Sequence, residues 1–334
     1  MIKKYKKSNF KFNKDINLNN SSFKFLIKNT IFKIYNYFKR LNKNFLNIER
    51  SQKIKGNKIF IKLENSYFLI NLKHKLQRNA YIYNQFENRL SEIIECMIKP
   101  NSLVIDVGAN IGLLSLRFSN ILKKKQIKNR YNINDNNFGG KVICFEASEN
   151  TFKELLFNID LNKDKNHCEI EAFNLGVGRK NSKEVFYETN IPDMQHSFSF
   201  IKNNLFKDLK KTEIIEKKIN VISLDNFFID KFNQEISFIK IDTGGDELEI
   251  LRGAEQIIKK FNPTIIFEFD KKRIKYLNID PIKYNLLFNL NYDVYLILED
   301  GFLYQINDFK EAVEFKEKYF EVLCMQNMNS LAIK

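Results

Sequence analysis

The sequence predicts an open α/β fold, a mostly parallel sheet flanked by helices. Two observations predict it. A short apolar burst at Leu103–Val107 runs into a glycine turn at Gly108–Gly112 and then into helical spacing over Leu113–Leu122. Three later apolar segments, stopping at Glu146, Asp242 and Glu268, repeat the pattern of a buried strand that ends on an acid. Buried strands alternating with helices build parallel sheets, and in such sheets ligands sit beyond the carboxyl ends of the strands.

The elements follow in order. Met1–Asn20 is polar and basic, without periodicity. Over Phe25–Leu46, Ile31, Ile34, Tyr35, Phe38, Leu41 and Phe45 fall at helical spacing among Lys28, Lys33, Lys39, Arg40 and Lys43. This basic amphipathic helix either attaches peripherally to an anionic membrane surface or docks its aromatic face on the core. Lys58–Leu72 reads as two strands around a turn at Glu64–Ser66, and Arg78–Met97 as one helix that stops before Pro100. The boundaries give a basic extension (1–57), a strand–helix lead-in (58–100) and a main domain (101–334).

In the main domain, the loop after the first strand has the spacing Gly-x-Asn-x-Gly, not the Gly-x-Gly-x-x-Gly of dinucleotide enzymes. Its glycines let backbone approach a ligand where a Cβ would collide, and the following helix offers unpaired N–H groups to an anion. The second strand, from Lys141, ends at Glu146, an acid that can accept two hydrogen bonds from vicinal ribose hydroxyls or serve as a helix-capping or solvated strand-end carboxylate. Between these strands, Lys123–Gly140 is polar and reads as a surface insertion that leaves them adjacent. A third strand is expected at Glu169–Leu175, and a further one at Val185–Tyr187. Ile191–Lys218 reads as irregular, and Ser223-Leu-Asp225 as a helix start. A buried strand from Ser237 reaches Asp242 and the turn Gly244-Gly245, followed by one helix over Leu248–Lys260 with Glu247 in its first turn. The strand Pro263–Glu268, a helix near Pro281–Leu290 and an edge hairpin at Val294–Leu298 and Phe302–Ile306 complete the reading. There is no internal repeat and no heptad run.

The ordered set Val-Ile-Asp-Val-Gly-Ala-Asn-Ile-Gly (104–112), Phe-Glu-Ala-Ser (145–148), Asn-Leu-Gly-Val-Gly (174–178), Ser-Leu-Asp (223–225), Ile-Lys-Ile-Asp-Thr-Gly-Gly-Asp-Glu (239–247) and Leu-Arg-Gly-Ala (251–254) resembles the FkbM family of S-adenosylmethionine-dependent methyltransferases. The resemblance runs from about Tyr81 to Phe269, and Glu87 falls where the family has an acid upstream of the first strand. Two positions depart from it. Gly244 stands where the family has a larger polar residue, and Ser148-Glu149 lacks the family's proline.

The resemblance implies a class I methyltransferase fold, a Rossmann-like seven-stranded sheet with one antiparallel edge strand, and S-adenosyl-L-methionine as cofactor. It implies that Gly108, Ala109, Asn110 and Gly112 receive the methionine moiety. Asp106 then lies close to the cationic part of the cofactor, Glu146 holds the ribose, and Asn174 and Gly176 lie near adenine. Asp242 stands where the methyl group should point, as an acceptor-facing base or as a carboxylate that orders the Gly-Gly turn. Glu268 is a second acceptor-side candidate. His196 is either a base on a substrate lid or a solvated loop histidine. Asp242 and Glu268 show no third partner for a metal, and no metal is expected.

The implied acceptor is a hydroxyl of a sugar, glycan precursor or secondary metabolite. An RNA methyltransferase using the basic arm and a non-catalytic cofactor-binding protein at a membrane are the alternatives. Nucleic acid is the weaker partner, because the arm carries no RNA-binding motif. The charge is lopsided. Residues 1–60 hold 16 Lys and Arg against two acids, and the rest of the chain holds 39 against 38. The four cysteines lie far apart with no metal or disulfide spacing, which fits a reducing cytoplasm. No apolar run approaches the ~18 residues of a membrane helix, and no secretory signal is expected.

Overall fold

In a computed structural model of the 334-residue chain, the structure describes residues 52–53, 57–84, 86, 88–129, 139–163, 167–189, 214–229, 234–298 and 301–326. The amphipathic segment 25–46, Glu87 and His196 lie outside the described residues.

The first strands are β1 (Gln52–Lys53), β2 (Lys58–Leu63) and β3 (Ser66–Asn71), an antiparallel sheet turning at Glu64-Asn65. Its inward residues Ile59, Ile61, Phe68 and Ile70 pack on Ile111, Leu113 and Leu116. Two short helices follow, α1 (Lys75–Tyr83) and α2 (Asn88–Met97), where the spacing predicts one. The break falls at Asn84, which caps α1 in the left-handed region (φ 48°). Asparagine tolerates that conformation, and apolar periodicity running across the cap conceals it.

The central sheet then alternates with helices: β4 (Leu103–Val107), α3 (Leu113–Asn129), β5 (Lys141–Phe145), α4 (Glu149–Asp160) and β6 (Glu169–Phe173). Further along come β10 (Ile236–Ile241), α6 (Glu247–Arg252), α7 (Glu255–Phe261), β11 (Thr264–Asp270) and α8 (Lys271–Tyr276). A 3-10 turn at Pro281–Asn285 and α9 (Leu286–Asn289) lead to β12 (Tyr292–Ile297), β13 (Leu303–Ile306), α10 (Phe309–Glu314) and β14 (Tyr319–Gln326). A small separate sheet inserts between β6 and β10. It consists of β7 (Gly176–Val177), β8 (Ser182–Thr189) and β9 (Ile214–Ile222), with α5 (Leu224–Phe228) after it.

The strand order is β13-β12-β14-β11-β10-β4-β5-β6. β4, β5, β6, β10 and β11 run parallel, and β4 and β5 are direct neighbours despite the insertion between them. The sheet differs from the expected seven strands with one antiparallel edge. Among the described residues it has eight, of which β13 and β14 run against the rest: β14 is interior, hydrogen-bonded to both β11 and β12, while β13 lies at an edge. Tyr319–Gln326 has no glycine turn to announce it, and its place is set by pairing with strands far away in sequence.

Both faces of the sheet are covered. Val104, Val142, Phe238 and Ile266 pack with α2 and α3, whereas Ile105, Ile143, Ile239 and Ile265 pack with the helices after β9. β4 and β10 are buried along their whole length, as central parallel strands must be.

Two further expectations are corrected. Residues 214–218, expected to be irregular, begin β9, whose Lys and Glu side chains conceal the strand. The expected helix 248–260 is broken at Gly253. A Cβ there would lie 2.2 Å from the carbonyl oxygen of Gly178. Asp225 ties this junction: its N–H donates to Gly253 O (2.8 Å), and its carboxylate accepts from Gln256 N (3.1 Å) and Ile257 N (2.9 Å). The Ser-Leu-Asp, Leu-Arg-Gly-Ala and Asn-Leu-Gly-Val-Gly segments therefore form one strut. Replacing Asp225 by Ala strands two N–H groups at the start of α7 and should cost roughly 1–2 kcal/mol in urea unfolding. An unchanged midpoint would remove the strut.

Candidate functional site

The turn after β4 is shaped by backbone constraint. Gly108 (φ 82°) and Gly112 (φ 89°) occupy the left-handed region. A Cβ on Gly108 would sit 1.9 Å from the backbone oxygen of Asp242, so the turn can lie against the end of β10 only as glycine. The N–H groups of Gly108 and Ala109 both donate to Phe145 O (3.0 Å each). Asn110 is also left-handed (φ 52°).

The Asn110 N–H donates to Glu146 Oε2 (2.9 Å), and the Ser148 N–H donates to Glu146 Oε1 (2.9 Å). One buried carboxylate thus joins the glycine turn to the loop after β5. Asn174 supports it from behind, its side-chain amide donating to Glu146 O (2.8 Å) and Ala147 O (3.1 Å). Burial pushes Glu146 up to about 7, opposed by those two N–H donors and reinforced by the charge of Glu188. Gly176, by contrast, pairs with Val221 within the small sheet.

Asp106 is buried at the end of β4, where the Ser115 hydroxyl donates to it at 2.5 Å. Burial raises it to about 6, opposed first by Ser115 and then by the charge of Lys240.

On the far side of the turn, β10 and β11 bring Asp242 and Glu268 to neighbouring strand ends. Asp242 does not hold the Gly-Gly turn. Glu247 Oε1 does, accepting from the N–H groups of Thr243 (3.2 Å), Gly244 (2.9 Å) and Gly245 (3.0 Å) and from the Thr243 hydroxyl (3.2 Å). The carboxyl of Asp242 is left 40% exposed, with the Lys240 ammonium 3.8 Å away. Lys240 itself is wholly buried and donates to Glu321 Oε2 (3.0 Å) on β14. Glu268 lies opposite Glu321 and contacts Arg273 at 3.4 Å. Burial, then the charge of Asp242, pushes Glu268 up to about 8, and burial likewise raises Glu321 against the pull of Lys240.

Of the residues picked out in the sequence, Asp106, Gly108, Ala109, Asn110, Gly112, Glu146, Asn174, Asp242 and Glu268 meet at the carboxyl ends of adjacent strands. Lys240, Glu321 and Ser115 were given no role there. A lysine inside the apolar run 236–241 is the signal that could have found Lys240, since a buried lysine requires a partner.

Residues 106–302 match the methyltransferase FkbM domain. The chain belongs to the FkbM methyltransferase family. Solved structures similar to it include the methyltransferase FkbM of Methylobacillus flagellatus KT, at 14% identity and a TM-score of 0.39, over 74% of this chain and 52% of the other. The chain therefore spans about half the length of that protein. Precorrin-6y C5,15-methyltransferase of Geobacter metallireducens GS-15 aligns at 10% identity and a TM-score of 0.33, over 71% of this chain and 87% of its own. P. horikoshii TYW2, solved in complex with MeSAdo, aligns at 15% identity and a TM-score of 0.34, over 81% and 72%. No curated protein matches the chain.

The carboxylate at the end of β5 fits a ligand that brings hydroxyl donors, as a nucleoside does. Glu146 keeps acceptor capacity beyond its two N–H bonds, since a carboxylate offers about four lone-pair sites. Among the described residues no group of three His, Cys, Asp or Glu side chains is placed to hold a metal ion, and no helix is long and apolar enough to cross a membrane.

Carboxyls with raised pKa bind protons more tightly folded than unfolded, so they lower stability as pH rises from about 4 through their folded values. Replacing Glu268 by Gln should therefore flatten the fall in unfolding temperature between about pH 5 and about pH 8. An identical pH dependence in both proteins would contradict the placement of Glu268.

Proposed function

We propose that this chain is an S-adenosylmethionine-dependent O-methyltransferase acting on a hydroxyl of a small-molecule or glycan acceptor, such as a sugar, a glycan precursor or a secondary metabolite. The observation that supports the cofactor reading is the bond from the Asn110 N–H to Glu146, which joins the glycine turn to the acid at the end of β5. S-adenosylmethionine supplies a methyl group already activated on a sulfonium, so the protein's work is binding, aiming and proton removal. The glycine turn and the start of α3 receive the amino-acid end, and Glu146 accepts from the ribose hydroxyls.

Asp242 is the acceptor-facing base. It is half-exposed, free of the turn that Glu247 orders, and flanked by the buried Lys240 cation. Burial and the charge of Asp242 push Glu268 toward its neutral form, which limits the negative charge beside the acceptor. The main domain, 101–334, holds all of these groups. The basic extension, 1–57, is assigned to peripheral contact with an anionic surface on its charge and helical spacing, and a cytoplasmic setting follows from the scattered cysteines.

Calorimetry with S-adenosylmethionine and with NAD tests the cofactor. Binding of the first alone is expected, and binding of NAD alone would defeat the proposal. The ribose hydroxyls donate to the ionised carboxylate, so protonating Glu146 weakens the complex. The Kd for S-adenosylmethionine should rise about tenfold per pH unit below about pH 7, and a flat profile would take Glu146 out of the site. Methyl transfer to a panel of sugar and metabolite hydroxyls tests the reaction. There, Asp242→Asn should lower turnover by about 10²–10⁴-fold while leaving cofactor affinity within about threefold.

A further inference from the structure

Two carboxylates compete for one buried cation beside the acceptor-facing base. The Lys240 side chain is wholly buried, and its ammonium stands at unequal distances from them. Glu321 Oε2 accepts a hydrogen bond at 3.0 Å, whereas Asp242 Oδ2 lies at 3.8 Å, an ion pair without a hydrogen bond. The nearer partner is the more remote along the chain. Asp242 follows Lys240 by two residues, while Glu321 stands on β14, and the lysine reaches from β10 across β11 to meet it. The fold thus brings in a distant strand to take an ammonium that Asp242 could have taken locally.

A buried ammonium is costly unless a counter-ion hydrogen-bonds it. A carboxylate that takes such a charge-assisted bond has an oxygen occupied and its charge compensated, and both hinder it from drawing a proton off a hydroxyl. We propose that Glu321 is a positioning residue for Asp242: it holds the Lys240 ammonium off that carboxylate and so keeps Asp242 open to an acceptor hydroxyl. Glu321 acts only through Lys240. With Glu321 removed, the stranded ammonium turns to Asp242, the carboxylate already 3.8 Å away, and covers it. Glu321 lies outside the segment 106–302 that matches the FkbM domain, so this control comes from a part of the chain beyond the match. The inference rests on the reading of Asp242 as the acceptor-facing base.

The experiment begins with an experimental structure of the full chain carrying Glu321→Leu. The Lys240 ammonium should close on Asp242 from 3.8 Å to about 2.8 Å. An ammonium that stays as far from Asp242 as before would overturn the proposal. Should that variant not fold, Glu321→Gln keeps the shape, drops the charge and is judged by the same distance. Methyl transfer to the panel of sugar and metabolite hydroxyls then reads the consequence. Glu321→Leu should lower kcat about 10- to 100-fold, with KM for the acceptor and the calorimetric Kd for S-adenosylhomocysteine within about threefold. Lys240→Met/Glu321→Leu strands no charge and should regain most of the lost turnover. In an Asp242→Asn background, Glu321→Leu should cost nothing further. A further tenfold loss there, or lost S-adenosylhomocysteine binding in Glu321→Leu, would mean a structural effect and overturn the proposal. If Asp242→Asn alone leaves turnover unchanged, the base reading fails and the role of Glu321 with it. If the unaltered protein methylates nothing on the panel, the acceptor reading fails, while the Lys240 distance still decides whether Glu321 holds the ammonium off Asp242.

Discussion

One buried carboxylate, that of Glu146, holds the carboxyl edge of the sheet together. Its two oxygens take the N–H groups of Asn110 and Ser148, one from the turn after β4 and one from the loop after β5. Backbone bonds from Gly108 and Ala109 to Phe145 O already tie the turn to the end of β5, and the side chain extends that tie to Asn110 and Ser148. Burial and hydrogen bonding oppose each other here. Desolvation favours the neutral acid, two N–H donors favour the anion, and the raised pKa shows that desolvation prevails in the ligand-free protein. A hydroxyl-bearing ligand adds donors and tips that balance toward the anion.

The other acids at this edge divide the work. Asp106 is fixed by Ser115, and Glu247 spends one oxygen on the whole Thr243–Gly245 turn. Because Glu247 orders that turn, Asp242 is left available at the surface of the site. Beneath it, the buried Lys240 ammonium pairs with the partly exposed Glu321 carboxylate, reaching from β10 to β14. Removing Glu321 would strand the Lys240 charge in the core. Glu321 lies beyond the segment 106–302 that matches the FkbM domain, so part of this site's charge balance comes from sequence outside that match.

The sequence made these features legible to different degrees. β4, β5, β10 and β11 could be read because each is an apolar burst stopped by a charged or glycine residue, and a strand buried on both faces leaves that signature. The helix breaks at Asn84 and Gly253 could not. The first is a left-handed cap inside an uninterrupted apolar rhythm. The second is imposed by the close approach of Gly178, a contact across 75 positions. β9 escaped because Glu216, Lys217 and Lys218 interrupt it, and β14 because no glycine turn marks it and its partners lie far along the chain. For the same reason Glu321, on β14, carried no local mark. That Glu247, and not Asp242, orders the Gly-Gly turn is visible only in the folded turn.

The most direct test is an experimental structure of the full chain with S-adenosylhomocysteine bound. The ribose hydroxyls should lie within about 3 Å of the Glu146 carboxylate, hydrogen-bonding distance, with the amino-acid end against Gly108–Gly112. A nucleoside bound elsewhere, or a Glu146 carboxylate that touches only Asn110 and Ser148 in the complex, would contradict the account.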